Sequence, residues 1–304
     1  MSAADNISTI LASGARLTVP LAFAACGEYL AERAGTVNIS VEAMMLGGAF
    51  GAVAGASVTG SAGSGLVAGM LVGLFIGFVH GNLSHRAAVN TFVVGLVLNT
   101  LVLGLTSYLI VTGSFTGHQV WQVSVPVLRD IPIVGQVLFV ERWPVYLLIG
   151  VIPLTWWLVE RSRWGLELRA VGEDPQAADV TGIDVNARRR QALLWCGVMA
   201  GLGGAYLAVG EVGSFTQNMT AGRGFIVIAA VIFGAWRLGR TLLGCALFGL
   251  ADAMRLALPA LGLSLNSQLL IVAPYLLALV AMLLFAAKDR EPRALGKAFE
   301  RGTA

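Results

Sequence analysis

Charge is scarce in this sequence: 12% of its 304 residues are Asp, Glu, Lys or Arg, against about a quarter in a typical soluble domain. With 57% of residues hydrophobic, that shortage excludes an ordinary soluble domain and reads as a polytopic membrane protein. Lysine is scarcer still. Lys288 and Lys297 are the only two, and neither completes a G-x-x-x-x-G-K-[ST] pattern, so no phosphate-binding loop exists here and any ATP-driven work belongs to another chain. The three histidines, His80, His85 and His118, fit neither H-E-x-x-H nor a nucleophile with its base. Cys26, Cys196 and Cys245 stand far apart inside apolar runs, with no metal-ligand spacing and no disulfide framework. No catalytic residue, metal or cofactor is therefore expected in this chain. The start lacks a basic n-region, so it does not read as a secretory signal, and insertion falls to the spans themselves. A pI near 9 does not point to nucleic acid, because the basic residues cluster beside apolar runs, where membrane orientation explains them.

What is present is a succession of apolar runs. At about 20 residues per helical span, spans fall near 11–31, 40–58, 64–82, 90–112, 143–159, 192–210, 224–236, 240–258 and 268–287. The expected fold is all-α, one transmembrane domain over 1–304 with about nine transmembrane or re-entrant helices. The 224–236 run is short: thirteen residues reach roughly 20 Å, less than a hydrocarbon core of about 30 Å. It reads as a broken or re-entrant helix, or as one that borrows residues from 217–223. A polar or glycine-rich entry followed by two apolar runs occurs at 38–82 and again at 222–258, an echo of the kind inverted transporter repeats produce. Gly69, Gly73 and Gly77 fall four apart on one helical face, which suits close helix contact.

The only long polar stretch, 160–191, carries Arg161, Arg163, Arg169, Arg188, Arg189 and Arg190, six of the twenty basic residues. With the 288–304 tail on the same side, fifteen basic residues lie on that side and four on the other. The positive-inside rule makes the 160–191 loop and the tail cytoplasmic and the 112–142 loop extracytoplasmic. In that outer loop Arg129 and Asp130, like Glu141 and Arg142, cancel in charge, so it reads as a folded cap or a docking surface. Within the basic loop, Glu173-Asp174-Pro175 followed by Gln176-Ala177-Ala178-Asp179 reads as the start of a short helix, with Gly182 as its stop. Such a helix outside the membrane is either a solvated connector or a docking element.

Ionisable groups inside spans are costly and face the bundle interior. Here they are Glu28, Glu42, Glu211 and the i, i+3 pair Asp252 and Arg255, which neutralise each other. Glu42 has no basic residue within one helical turn. Asn38, Ser40, Asn90, Thr91 and Asn99 either bind a hydroxylated solute or bridge helices. Phe92, Tyr108, Phe225, Phe233 and Trp236 are aromatics that either stack a base or pack. Asn38, Glu42, Asn90, Asn99 and Phe225 form the candidate translocation path.

The run Glu32-Arg33-Ala34-Gly35-Thr36-Val37-Asn38-Ile39-Ser40-Val41-Glu42-Ala43-Met44-Met45 resembles the E-R-x-G-x-x-N-I-x-x-E-G-M-M signature of permease subunits of bacterial ABC importers, in the branched-chain amino acid and simple-sugar permease superfamily. Val97-Leu98-Asn99, the stretch from Leu168 to Ile183, and Gly222-Arg223-Gly224-Phe225-Ile226 through Gly234 are similar to that family too, and the first and last point to its nucleoside branch. The resemblance spans roughly 17–287. It implies an inner-membrane permease for nucleosides, with an ATP-binding subunit that holds ATP and Mg, a second and non-identical permease, and an extracytoplasmic solute-binding lipoprotein. It also makes Glu173, Asp174, Pro175, Ala178 and Gly182 the coupling helix that seats in the ATPase. Ser40 and Ala43 stand where the family has glycine, and Ala235 where it often has arginine before Trp236. The alternatives are a ribose-type sugar permease, or an ion-coupled transporter using Glu28, Glu42 or Asp252.

Overall fold

The computed structural model of the protein describes residues 3–124, 140–260, 272, 276, 280 and 291–299. Its helices are α1 (Ala3–Arg33), α2 (Val41–Thr59), α3 (Ala62–His85), α4 (Thr91–Thr112), α5 (Trp143–Glu160), α6 (Arg163–Glu173), α7 (Pro175–Val180), α8 (Val185–Ala205), α9 (Arg223–Phe233) and α10 (Leu238–Ala260). Among the described residues six helices are long and apolar enough to cross a membrane: α1 from Ile10, α2, α3, α4, α5 and Val185–Val212. The run read at 240–258 lies in α10, which carries Arg240, Asp252 and Arg255 and is not one of the six. The run at 268–287 and residues 125–139, with Arg129 and Asp130, lie outside the described residues.

Two boundaries differ from the sequence reading. The span read at 192–210 starts at Val185, because Asp184 caps it by accepting from the Ala187 N–H at 2.8 Å. The arginine trio 188–190 therefore sits on the first turns of a helix rather than in a loop. The 224–236 span is an 11-residue helix, about 16 Å long at 1.5 Å per residue. Of 217–223 it takes in Arg223 alone, since 217–222 is turn ending at Gly222 with φ 86°. Within the 112–142 loop, read as a folded cap or a docking surface, β1 (Gln122–Ser124) pairs antiparallel with β2 (Val140–Arg142), Val123 opposite Glu141.

The core is α2, α3 and α8, with α1 laid against α8 and α10. Apolar burial does not drive helices together in lipid, so close van der Waals packing must, and glycine permits it. A Cβ on Gly77 would lie 2.6 Å from the Leu193 carbonyl oxygen, and one on Gly201 would lie 2.6 Å from that of Gly69. Neither distance is tolerable for a real side chain. At the far end α8 widens into a π-helical stretch, Tyr206–Val212, closed by Gly213 at φ 82°. Wide turns of this sort recur at functional sites.

Gly73→Val tests the contact, since a Cβ there would lie 2.7 Å from the Gly201 Cα. Overpacking of this kind costs about 3 kcal/mol, so the purified variant should melt well below the parent or aggregate. Gly150→Val, where a Cβ meets nothing within 4 Å, should leave the melting temperature unchanged.

Candidate functional site

One cluster is built on the α1–α2 turn. Asn38, wholly buried, donates from Nδ2 to Glu28 Oε2 at 3.0 Å and accepts from Ser40 Oγ at 2.7 Å. Ser40 Oγ also lies 2.6 Å from His80 Nδ1, and His80 Nε2 lies 2.8 Å from Thr91 Oγ1. The His80 ring thus stands between the Ser40 hydroxyl and that of Thr91, which also lies 3.4 Å from the Val37 carbonyl. The result is a buried polar chain from α1 through the turn to α3 and α4. Asn99 adds a second tie, accepting from the Ala43 N–H at 2.9 Å and donating to the Ile39 carbonyl at 3.0 Å.

Glu42 holds a distant segment. Its Oε1 accepts from Thr220 Oγ1 at 2.6 Å and from the Gly222 N–H at 2.9 Å, and its Oε2 accepts from the Gly224 N–H at 2.6 Å. First-turn N–H groups of a helix lack intrahelical partners, so a carboxylate on α2 caps α9 across the bundle. Gly224 is required for that approach: a Cβ there would lie 2.5 Å from the Glu42 nitrogen. Asp252 and Arg255 pair at 2.8 Å as their spacing indicates, but Asp252 also binds Arg223 at 2.8 Å.

The path candidates are thus not gathered on one surface. Asn38, Glu42 and Asn99 converge around the N-terminal end of α2 and spend their polar atoms on protein partners. Asn90 caps α4, accepting from the Phe92 and Val93 N–H groups at 2.9 and 3.3 Å. Phe225 is 45% exposed on α9.

The other cluster is α6–α7. Asp174 caps α7 by accepting from the Ala177 N–H at 3.0 Å, Pro175 takes the first turn, and Gly182 at φ 89° closes the exit. Ala178 points inward, packed with Val171 and Val185, with Ile183 and Phe299 against them. Val180 points outward and is 88% exposed. Glu173 and Asp174 are exposed beside it.

A family of membrane permeases, described as the branched-chain amino acid transport system permease component, matches residues 10–287. The chain belongs to that family. It is 33% identical to the nucleoside ABC transporter permease NupC of Lactococcus lactis subsp. cremoris over 97% of this chain and 98% of that protein. It is 29% identical to the guanosine ABC transporter permease NupQ of Bacillus subtilis over 99% of each. It is also 37% identical, over 81% of this chain and 76% of that protein, to the TsgC13 permease of Haloferax volcanii, provisionally named for glucose.

In this permease several engaged residues had no sequence signal of their own. Thr220 is one of many threonines until Glu42 is seen to reach it. Arg189 is indistinguishable in the sequence from Arg188 and Arg190, yet it alone of the three is fully buried. His80, one of two histidines in a glycine-rich helix, is the relay between Ser40 and Thr91. Val180, the last residue of the six-residue α7, had no signal that set it apart from Ala178.

On the opposite face from α7, burial pushes the Glu141 carboxyl up from 4.5 to about 7, with nearby Glu211 adding to the effect and Arg16 and Arg142 opposing it. A raised acid pKa means the folded state holds its proton longer, so the stability it confers is complete below about 4.5 and is lost as pH rises through about 7. The melting temperature should therefore fall between those values, and Glu141→Gln should flatten the slope; an unaltered slope would remove Glu141 as its source.

Glu42→Gln places an amide N–H against backbone donors. One buried donor left unpaired costs about 1–3 kcal/mol. Amide exchange across 214–224 should accelerate accordingly while α3 and α8 keep their protection. Unchanged exchange there would show that the cap does not hold α9.

Proposed function

We propose that this permease is the membrane-spanning subunit of an ATP-driven importer and that its solute is a nucleoside. Family membership supports the importer, and likeness over nearly the whole length to permeases named for nucleosides and guanosine supports the solute. On this reading the face bearing α6 and α7 is cytoplasmic, in a bacterial inner membrane. A partner ATP-binding subunit holds ATP and Mg, a second and non-identical permease completes the conduit, and an extracytoplasmic lipoprotein delivers the solute. The chain performs no covalent chemistry. Asn38, Glu42, Asn90, Asn99 and Phe225 remain the path candidates, the first four acting by shaping the helices that line it.

The observation that carries the coupling role is Val180. An apolar side chain left 88% exposed on a six-residue external helix is unfavourable in water and is what a partner's pocket receives as an anchor. The rest of α7 is held from behind by Ala178, so a push on Val180 moves α6 and α7 together. The ion-carrier alternative is less well supported, because Glu28, Glu42 and Asp252 each already accept hydrogen bonds from protein donors. A sugar remains a second reading on the strength of the Haloferax relative.

Uptake of radiolabelled nucleosides against glucose and ribose by the reconstituted complex separates the two solutes. Val180→Asp should weaken binding of the ATP-binding subunit roughly 30-fold, about 2 kcal/mol, and depress uptake while the permease itself melts normally. Undiminished uptake would sink the anchor. Ala178→Arg should instead lower the melting temperature, because that side chain faces the protein's own core.

A further inference from the structure

A buried guanidinium is expected to be paired with a carboxylate, since an isolated buried charge is very costly. Arg189 is fully buried and, among the described residues, pairs with none. It is instead held by carbonyl oxygens from two remote segments: Nε donates to Ala34 at 3.2 Å and Nη1 to Lys297 at 2.7 Å, while Nη2 has no partner among the described residues. Around it three segments meet. The Ala294 N–H donates to the Gly172 carbonyl at 2.9 Å, and the Gly296 N–H to the Gly35 carbonyl at 3.0 Å. Ala294 is buried, and Phe299 packs on the Val171, Ala178 and Val185 cluster beneath α7. A Cβ on Gly35, whose φ is 84°, would lie 3.0 Å from Arg189 Nη2.

We propose that Arg189 is a positioning residue for energy coupling. It pins the 291–299 segment between the end of α6 and the α1–α2 turn, so that α6, α7 and that turn move as one body. The inference rests on the reading of α7 as the contact with the ATP-binding subunit. A lysine cannot replace Arg189, because one ammonium lacks the planar fork that reaches both carbonyls at once.

The test uses the complete reconstituted complex and compares the parent, Arg189→Lys, Phe299→Ser and a chain ending at residue 290. The readouts are solute moved per ATP hydrolysed and binding of the ATP-binding subunit. The expected result is that all bind the subunit and hydrolyse ATP, while uptake per ATP falls about fivefold or more in each variant. Phe299→Ser leaves the buried charge and its carbonyls in place, so it decides the matter if the other two are not recovered folded. Uptake per ATP within twofold of the parent in Phe299→Ser would overturn the inference. A parent complex that showed no ATP-dependent uptake would remove the coupling assignment and this inference with it, an outcome the parent arm alone identifies.

Discussion

Backbone lies against backbone where α2, α3 and α8 cross, and the rest of the fold depends on that contact. In lipid, helices gain little by hiding apolar surface from one another, so association rests on how closely the main chains approach. Glycine on both sides of the α3–α8 contact brings carbonyls and α-carbons of the two helices to distances that no side chain permits. Close approach also fixes rotation about each helix axis. That is why His80 on α3 faces Ser40, and why Cys196 on α8 lies 3.3 Å from Glu28 on α1. The polar chain through the bundle is a consequence of the glycine seam rather than a separate device.

This changes what the intramembrane polar residues do. A polar side chain in a span either faces a solute or ties helices together, and composition cannot tell which. Here Asn38 and Asn99 use donor and acceptor alike on protein groups, and Glu42 spends both oxygens on the entry to α9. Their polar atoms are committed to holding helices and turns in place. Of the three, Glu42 reaches the 214–224 segment, turns with Asn218 and Ala221 at positive φ that lead into a helix of 11 residues too short to span.

Much of the architecture was legible because it follows from local chemistry. Apolar runs of adequate length gave α1 to α5, and the thirteen-residue run gave a helix that does not span. Asp174, Pro175 and Gly182 marked both ends of α7 because capping acts within a few residues. What was hidden acts across sequence distance. Glu42 and Gly224 stand 182 positions apart, and no local pattern in either announces the other. Arg189 was counted with its neighbours as an orientation charge, since burial is a property of tertiary packing and not of residue type. Ala178 and Val180 have the same apolar character in the sequence, and only the roll of α7 about its axis decides that one faces the protein's own core and the other the solvent.

The two clusters are joined by a short stretch of chain. Gly172, at the end of α6, touches the α1–α2 turn at Arg33 and Gly35. Six residues beyond Gly35, that turn becomes the first turn of α2, where Glu42 caps α9. On the proposed coupling role, a displacement at α7 passes through the α1–α2 turn, which hydrogen bonds of Asn38 and Asn99 hold in place, before it reaches the carboxylate that positions the short helix. Contiguity alone is not coupling; a segment with two arrangements must lie at the end of the line. The stretch from Tyr206 to Gly222 has what such a segment needs, a π-helical turn at one end and left-handed residues at the other, with the Glu42 carboxylate holding its exit. On the coupling reading proposed above, the elements from α7 to the α1–α2 turn carry the push, and the left-handed residues Asn218 and Ala221 lie in the segment it reaches.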